Sequence, residues 1–179
     1  MKKLLSAVMF AALSQAHAAT PGSYAGQETR NIKALSAEEI TSLLAGKGMG
    51  LAKAAELNGF PGPAHVLELS QQLGLTEGQK EKTRALFEAM DATAKQKGAE
   101  LVAAERDLDL LFRSKQITPE SMSAQLQRVA TLQAQVRGVH LSAHLEQVKL
   151  LTVAQVTQYN ELRGYTGVQP QEHMHGSKR

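Results

Sequence analysis

His140 and His144 stand four positions apart in a stretch whose apolar residues recur at steps of three and four, so a helix there carries both imidazoles on one face. Their Cβ atoms would then lie about 5–6 Å apart, a spacing at which two side chains can ligate one metal ion. A hairpin turn centred near Ile117 would set His144 opposite Met90, with Glu88 and Asp91 within a turn. His65, ahead of that hairpin, could fold over the same end. Imidazoles with a carboxylate and no thiolate suit Zn, Ni, Co or Cu rather than Mg or Ca. The same spacing also describes two solvated polar positions beside an apolar seam, on a stripe shared with Gln133 and Arg137. His173-Met174-His175 near the C-terminus is either a loose ligand for such an ion or two His in a short tail by chance.

Other chemistries find less support. The chain contains no Cys, which removes thiol catalysis, disulfides and thiolate metal sites. Gly46-Lys47-Gly48-Met49-Gly50 resembles a phosphate-cradling loop, but it follows a helical pattern rather than a strand and lacks the Gly-x-x-x-x-Gly-Lys-Ser/Thr spacing, so it reads as a flexible link between helices. No Ser and His fall into a nucleophile-and-base pattern, and paired catalytic carboxylates would need a pocket that an open hairpin does not supply. The expectation is binding without turnover, hence no enzyme.

The elements that must position these residues are marked by a repeated signal. Leu75-Thr76-Glu77-Gly78-Gln79 and Leu151-Thr152-Val153-Ala154-Gln155 both read Leu-Thr-x-x-Gln. A Thr at an N-cap accepts from the backbone N–H three residues on, and a Gln there reaches back to the Thr N–H, so each copy is a capping box. Between them the pattern predicts one long helix from about Glu77 to Lys115, seamed by Met90, Ala94, Leu101, Ala104, Leu108 and Leu111, with Gly98 a local weakness of about 1 kcal/mol relative to Ala. Thr118-Pro119 opens a second, to about Leu150, seamed by Met122, Leu126, Val129, Leu132, Val136, Val139 and Ala143. So short a turn makes the two antiparallel. Ahead of them, three short helices are expected after Ser36, over Leu51–Leu57 and over Ala64–Leu73. Only 4% of residues are aromatic, none is Trp, and Ala, Leu, Gln and Glu abound. The fold class is therefore all-α, a long antiparallel helical hairpin with short N-terminal helices. Two such helices cannot cover both of their apolar faces alone, so either the short N-terminal helices or a second copy must pack on them, and both are expected.

The chain divides into a signal peptide over 1–18, a lead with short helices over 19–62, a hairpin domain over 63–165 and a His-bearing tail over 166–179. The signal reading rests on Lys2 and Lys3, the apolar run Leu4 to Leu13, and Ala16-His17-Ala18 as cleavage site. Without Lys2 and Lys3, 18 bases face 17 acids, a balance that offers no electrostatic support for nucleic-acid binding. No later apolar run is long enough to span a membrane. The expected product is soluble and exported.

A signal peptide, a helical hairpin and a doubled Leu-Thr-x-x-Gln resemble the LTxxQ-motif family of periplasmic proteins, which holds the Spy and CpxP chaperones and the ZraP- and CnrX-like metal-binding and metal-sensor proteins. The resemblance covers about His65 to Leu162. It implies a cradle-like antiparallel homodimer that holds unfolding client proteins or binds transition metals. The metal-sensing branch places its ligands at positions whose nearest matches are His65, Glu88, His140 and His144. A chaperone would hold clients on mixed apolar and charged positions such as Leu86, Met90, Arg84 and Arg106. The expected function is a periplasmic stress-response binding protein, an ATP-independent chaperone and/or a binder or sensor of Zn, Ni, Co or Cu. The alternative is a non-catalytic helical adaptor docking onto another envelope protein.

Overall fold

The computed structural model describes residues 22–165. The signal peptide read over 1–18 and the tail read over 166–179, with His173, Met174 and His175, lie outside the described residues. Within them the order is α1 (Ala37–Leu44), α2 (Lys53–Glu56), α3 (Pro63–Glu68), α4 (Glu77–Arg113), α5 (Pro119–Lys149) and α6 (Val153–Leu162), and no strand is present.

Local signals set most of these limits. Ser36, Thr76, Thr118 and Thr152 each form a complete capping box. Gly46, Gly74 and Gly164 take positive φ just past helical segments, where a side chain would be strained. α4 has 37 residues, about 55 Å at 1.5 Å per residue, and α5 packs along it. Cross-links at both ends give the direction: Gln147 Nε2 donates to Thr83 Oγ1 at 3.2 Å near the open end, and Arg128 pairs with Asp107 at 2.7 Å near the turn. The pair is antiparallel.

The two Leu-Thr-x-x-Gln copies meet. The Oε1 of Gln79 accepts from the Thr76 N–H at 3.0 Å, and that of Gln155 from the Thr152 N–H at 2.9 Å. Their Nε2 groups reach across to the other copy. Gln79 donates to the Leu150 carbonyl and to Gln155 Oε1, both at 2.9 Å, and Gln155 donates to Gln79 Oε1 at 3.1 Å and to the Leu73 carbonyl at 3.3 Å. Each Gln thus caps its own helix with its oxygen and clasps the other helix start with its nitrogen.

Two apolar clusters hold the fold. Ile32 and Leu43 from the N-terminal segment join Leu101, Val102, Ala104, Val129, Leu132 and Val136 along the middle of the hairpin. Val66, Leu73, Leu75 and Tyr159, with Leu69, Leu151 and Tyr165 against them, form the second at the open end. Fully burying one such Val or Leu contributes about 1.5–3 kcal/mol. α1 approaches α4 at Gly98, where a Cβ would stand 2.1 Å from the Leu43 carbonyl oxygen. The glycine expected to weaken α4 is where α1 lies down on it.

The expected seam of α5 holds at Val129, Leu132, Val136 and Ala143, but Met122 and Leu126 are exposed. Near the turn the N-terminal segment reaches α4 through the Asn31 carbonyl and the Lys33 N–H, and the Met122 and Leu126 positions of α5 stay in water. Toward the open end the seam continues through His140, His144, Gln147 and Val148. α3 stops at Glu68 rather than Leu73, because residues 69–74 turn to bring Leu73 and Leu75 into the second cluster. Among the described residues no helix is long and apolar enough to cross a membrane.

Candidate functional site

A cavity of about 630 Å³ lies between the glycine-rich link and the hairpin. One wall is Ala45 to Gly50 with α2 and the start of α3, and the other is Phe87, Met90 and Asp91 of α4 with His140 and His144 of α5. Arg163 and Tyr165, just past α6, close one end.

His140 and His144 fall on the buried stripe of α5 because the seam there steps from Val136 by four and then by four again. They are 5% and 8% exposed, so the reading of solvated positions beside the seam is overturned. His144 Nδ1 donates to the Phe60 carbonyl at 2.6 Å. Since a carbonyl only accepts, Nδ1 carries a proton, and in the neutral tautomer of the ring Nε2 then holds the lone pair. The His144 ring sits against Gly62, where a Cβ would come within 2.8 Å of it. His140 Nε2 is buried without a hydrogen-bond partner. Burial, reinforced by the nearby His144, lowers the His140 pKa and favours its neutral form.

The carboxylate beside these imidazoles is Glu56, not Glu88. Glu88 is exposed on α4 and does not line the cavity, whereas α2 turns Glu56 inward. Glu56 Oε1 accepts from the Tyr159 hydroxyl at 2.5 Å and the Tyr165 hydroxyl at 3.2 Å. His65 Nδ1 stands 3.4 Å and Arg163 Nε 3.6 Å from the same oxygen, and His144 Nδ1 is 3.6 Å from Oε2. Burial, then the hydrogen bond to Glu56 and its charge, push the Tyr159 phenol well above its usual range, so it remains a donor. A buried carboxylate is held here by hydroxyls and a guanidinium, which is how such a charge is tolerated out of water.

The structure therefore brings His65, His140 and His144 to one cavity, adds Met90 and Asp91 as the hairpin register requires, and leaves Glu88 outside it. Asp91 is engaged by Lys95 at 2.6 Å. The donors fit a resident metal ion only in part, since among the described residues no group of three or more His, Asp or Glu could hold one. Glu56, Tyr159, Arg163 and Tyr165 escaped the sequence reading. The one available hint was that two of the chain's three Tyr fall in or just past the last helical pattern, at the end to which the hairpin returns. No family model, no curated protein and no solved structure matches this chain.

Proposed function

We propose that the chain is a periplasmic stress-response binding protein of the LTxxQ kind, an ATP-independent chaperone that works as an antiparallel homodimer and holds unfolding clients without turnover. One observation carries this reading. The turn end of the hairpin leaves Leu110, Phe112, Met122 and Leu126 38–49% exposed, close in sequence to the exposed cations Arg106, Arg113 and Arg128. Large apolar side chains left exposed beside charged ones are what a surface for unfolded chains needs: contact with apolar segments, and enough solvation to release them. Of the client-contact residues expected earlier, Arg84 and Arg106 are exposed, Leu86 is half-buried and Met90 faces the cavity.

The test is light scattering from a thermally unfolding client enzyme, without nucleotide. Stoichiometric protein should suppress aggregation, and Leu110→Ser/Phe112→Ser/Leu126→Ser should remove most of that effect while leaving the helical melt unchanged. Undiminished aggregation with the unaltered chain sinks the reading. Retention of a single envelope protein in a pull-down would favour the adaptor.

Transition-metal binding is the second reading. It is favoured by the Phe60 carbonyl, which leaves the His144 Nε2 lone pair available four residues from a neutral His140. Calorimetric titration with Zn, Ni, Co and Cu should give a site that His140→Ala/His144→Ala removes, and silent titrations would dismiss it.

A further inference from the structure

We infer that the cavity between the glycine-rich link and the hairpin binds a small organic acid, an anionic head carried on an apolar body. Its volume of about 630 Å³ lies within the range of small-molecule sites. Met49, Leu57, Phe87 and Met90 supply apolar wall, of adaptable Met and flat aromatic surface.

The sign of the head follows from which charges are already engaged. Asp91 is paired with Lys95, and Glu56 Oε1 is held by Tyr159 and Tyr165 with Arg163 beside it, while its Oε2 has no hydrogen-bond partner and stands 3.6 Å from His144 Nδ1. Lys47 and Lys53 line the same cavity and form no ion pair among the described residues. The uncompensated charge at this site is positive. His140, buried on the same wall and with Nε2 unpartnered, adds a polar group that nothing in the protein satisfies. Gly48 keeps that wall open: a Cβ there would sit 3.6 Å from His140 Nδ1, and its φ is not in the left-handed region.

The site is separate from the exposed side chains at the hairpin turn, so it stands whether or not the chaperone reading does. The experiment is calorimetric titration of the mature chain, in chelator, with dodecanoate below its micellar concentration. Dodecyltrimethylammonium, which has the same chain and the opposite head, and inorganic phosphate, a head without a chain, are the comparison arms. Dodecanoate should bind one per chain and at least ten-fold more tightly than either. Lys47→Glu/Lys53→Glu, at two exposed positions, should weaken it ten-fold or more. Gly48→Leu should abolish it by filling the wall, with aggregation suppression unchanged in both variants. Equal affinity for the cationic twin, no binding at all, or binding that survives the Lys pair would overturn the inference. If Gly48→Leu fails to fold, the Lys pair decides alone.

Discussion

Tyr159 is fully buried and its hydroxyl reaches Glu56 from 103 positions along the chain, so this one hydrogen bond ties α6 to α2. Tyr159→Phe removes the nearest donor from a carboxylate that cannot be well hydrated, and should cost about 1–3 kcal/mol in urea unfolding. In a Glu56→Gln background the same change should cost less, because no buried charge is then left short of a partner. Glu105 is the opposite case. It is buried on α4 with no ion-pair partner among the described residues, and desolvation raises its pKa above the usual carboxylate value. A raised folded-state value means that protonated Glu105 is the better tolerated form. Its favourable contribution is complete below the unfolded pKa near 4.3 and is lost as pH rises through the folded value. Glu105→Gln should therefore raise Tm at pH 7, with the gain shrinking toward pH 4; thermal melts across that interval check it. A gain independent of pH would assign the effect to packing instead.

Each helix start is written locally, yet the two motif starts also depend on each other. Gln79→Ala and Gln155→Ala should each remove a cap component and a cross-link, at about 1–2 kcal/mol apiece. The double variant should cost clearly less than the two losses together, since the Gln79–Gln155 amide pair breaks in either single variant. Strict additivity in a denaturant series would mean that the clasp contributes nothing. Gly98 makes a sharper test, because two rules give opposite signs. In an exposed helix, Ala in place of Gly stabilises by about 1 kcal/mol. Here the new Cβ would meet the Leu43 carbonyl oxygen at 2.1 Å and its carbon at 2.7 Å, backbone atoms that cannot swing aside. Gly98→Ala should lower Tm and speed amide exchange in α1, while exchange in α5 toward the open end changes little.

At the scale of the whole molecule the two ends of the hairpin differ. The open end carries the motif clasp, the second cluster, the cavity and the Glu56 group, and both ends expose apolar side chains, Leu57, Leu145, Val153 and Leu162 at the open end and Leu110, Phe112, Met122 and Leu126 at the turn. Between them Ile32 and Leu43 complete the first cluster, and Arg113 donates to the Asn31 carbonyl at 2.9 Å. Residues 22–62 thus belong energetically to the hairpin. A fragment of residues 63–165 loses Ile32, Leu43 and Glu56 together, and should melt far below the full chain with much reduced cooperativity. Circular dichroism melts of the two would show it, and equal Tm values would make the N-terminal segment an independent appendage.

Helix type, the capped helix starts and the hairpin itself were legible in the residues, because caps and apolar periodicity are local and act within four or five positions, whereas the ends of the short α2 and α3 were not. Thr76, Thr118 and Thr152 needed only their own neighbours to begin α4, α5 and α6. The site was legible in part: His140 and His144 share a face by helix geometry, and Met90 and Asp91 came to the same cavity through the length of the turn. Whether those His were wet or buried was not legible, since burial depends on what lies across the seam, and here Phe60, Gly62 and Gly48 close over them. Nor could the choice of Glu56 over Glu88 be read, because which carboxylate faces inward is set by the packing of α2 on α5 rather than by anything adjacent in the chain. The residues by themselves determined the rods and how they begin. The tertiary structure decided which polar groups they enclose, because long-range contacts between small elements select among faces that local sequence leaves equivalent.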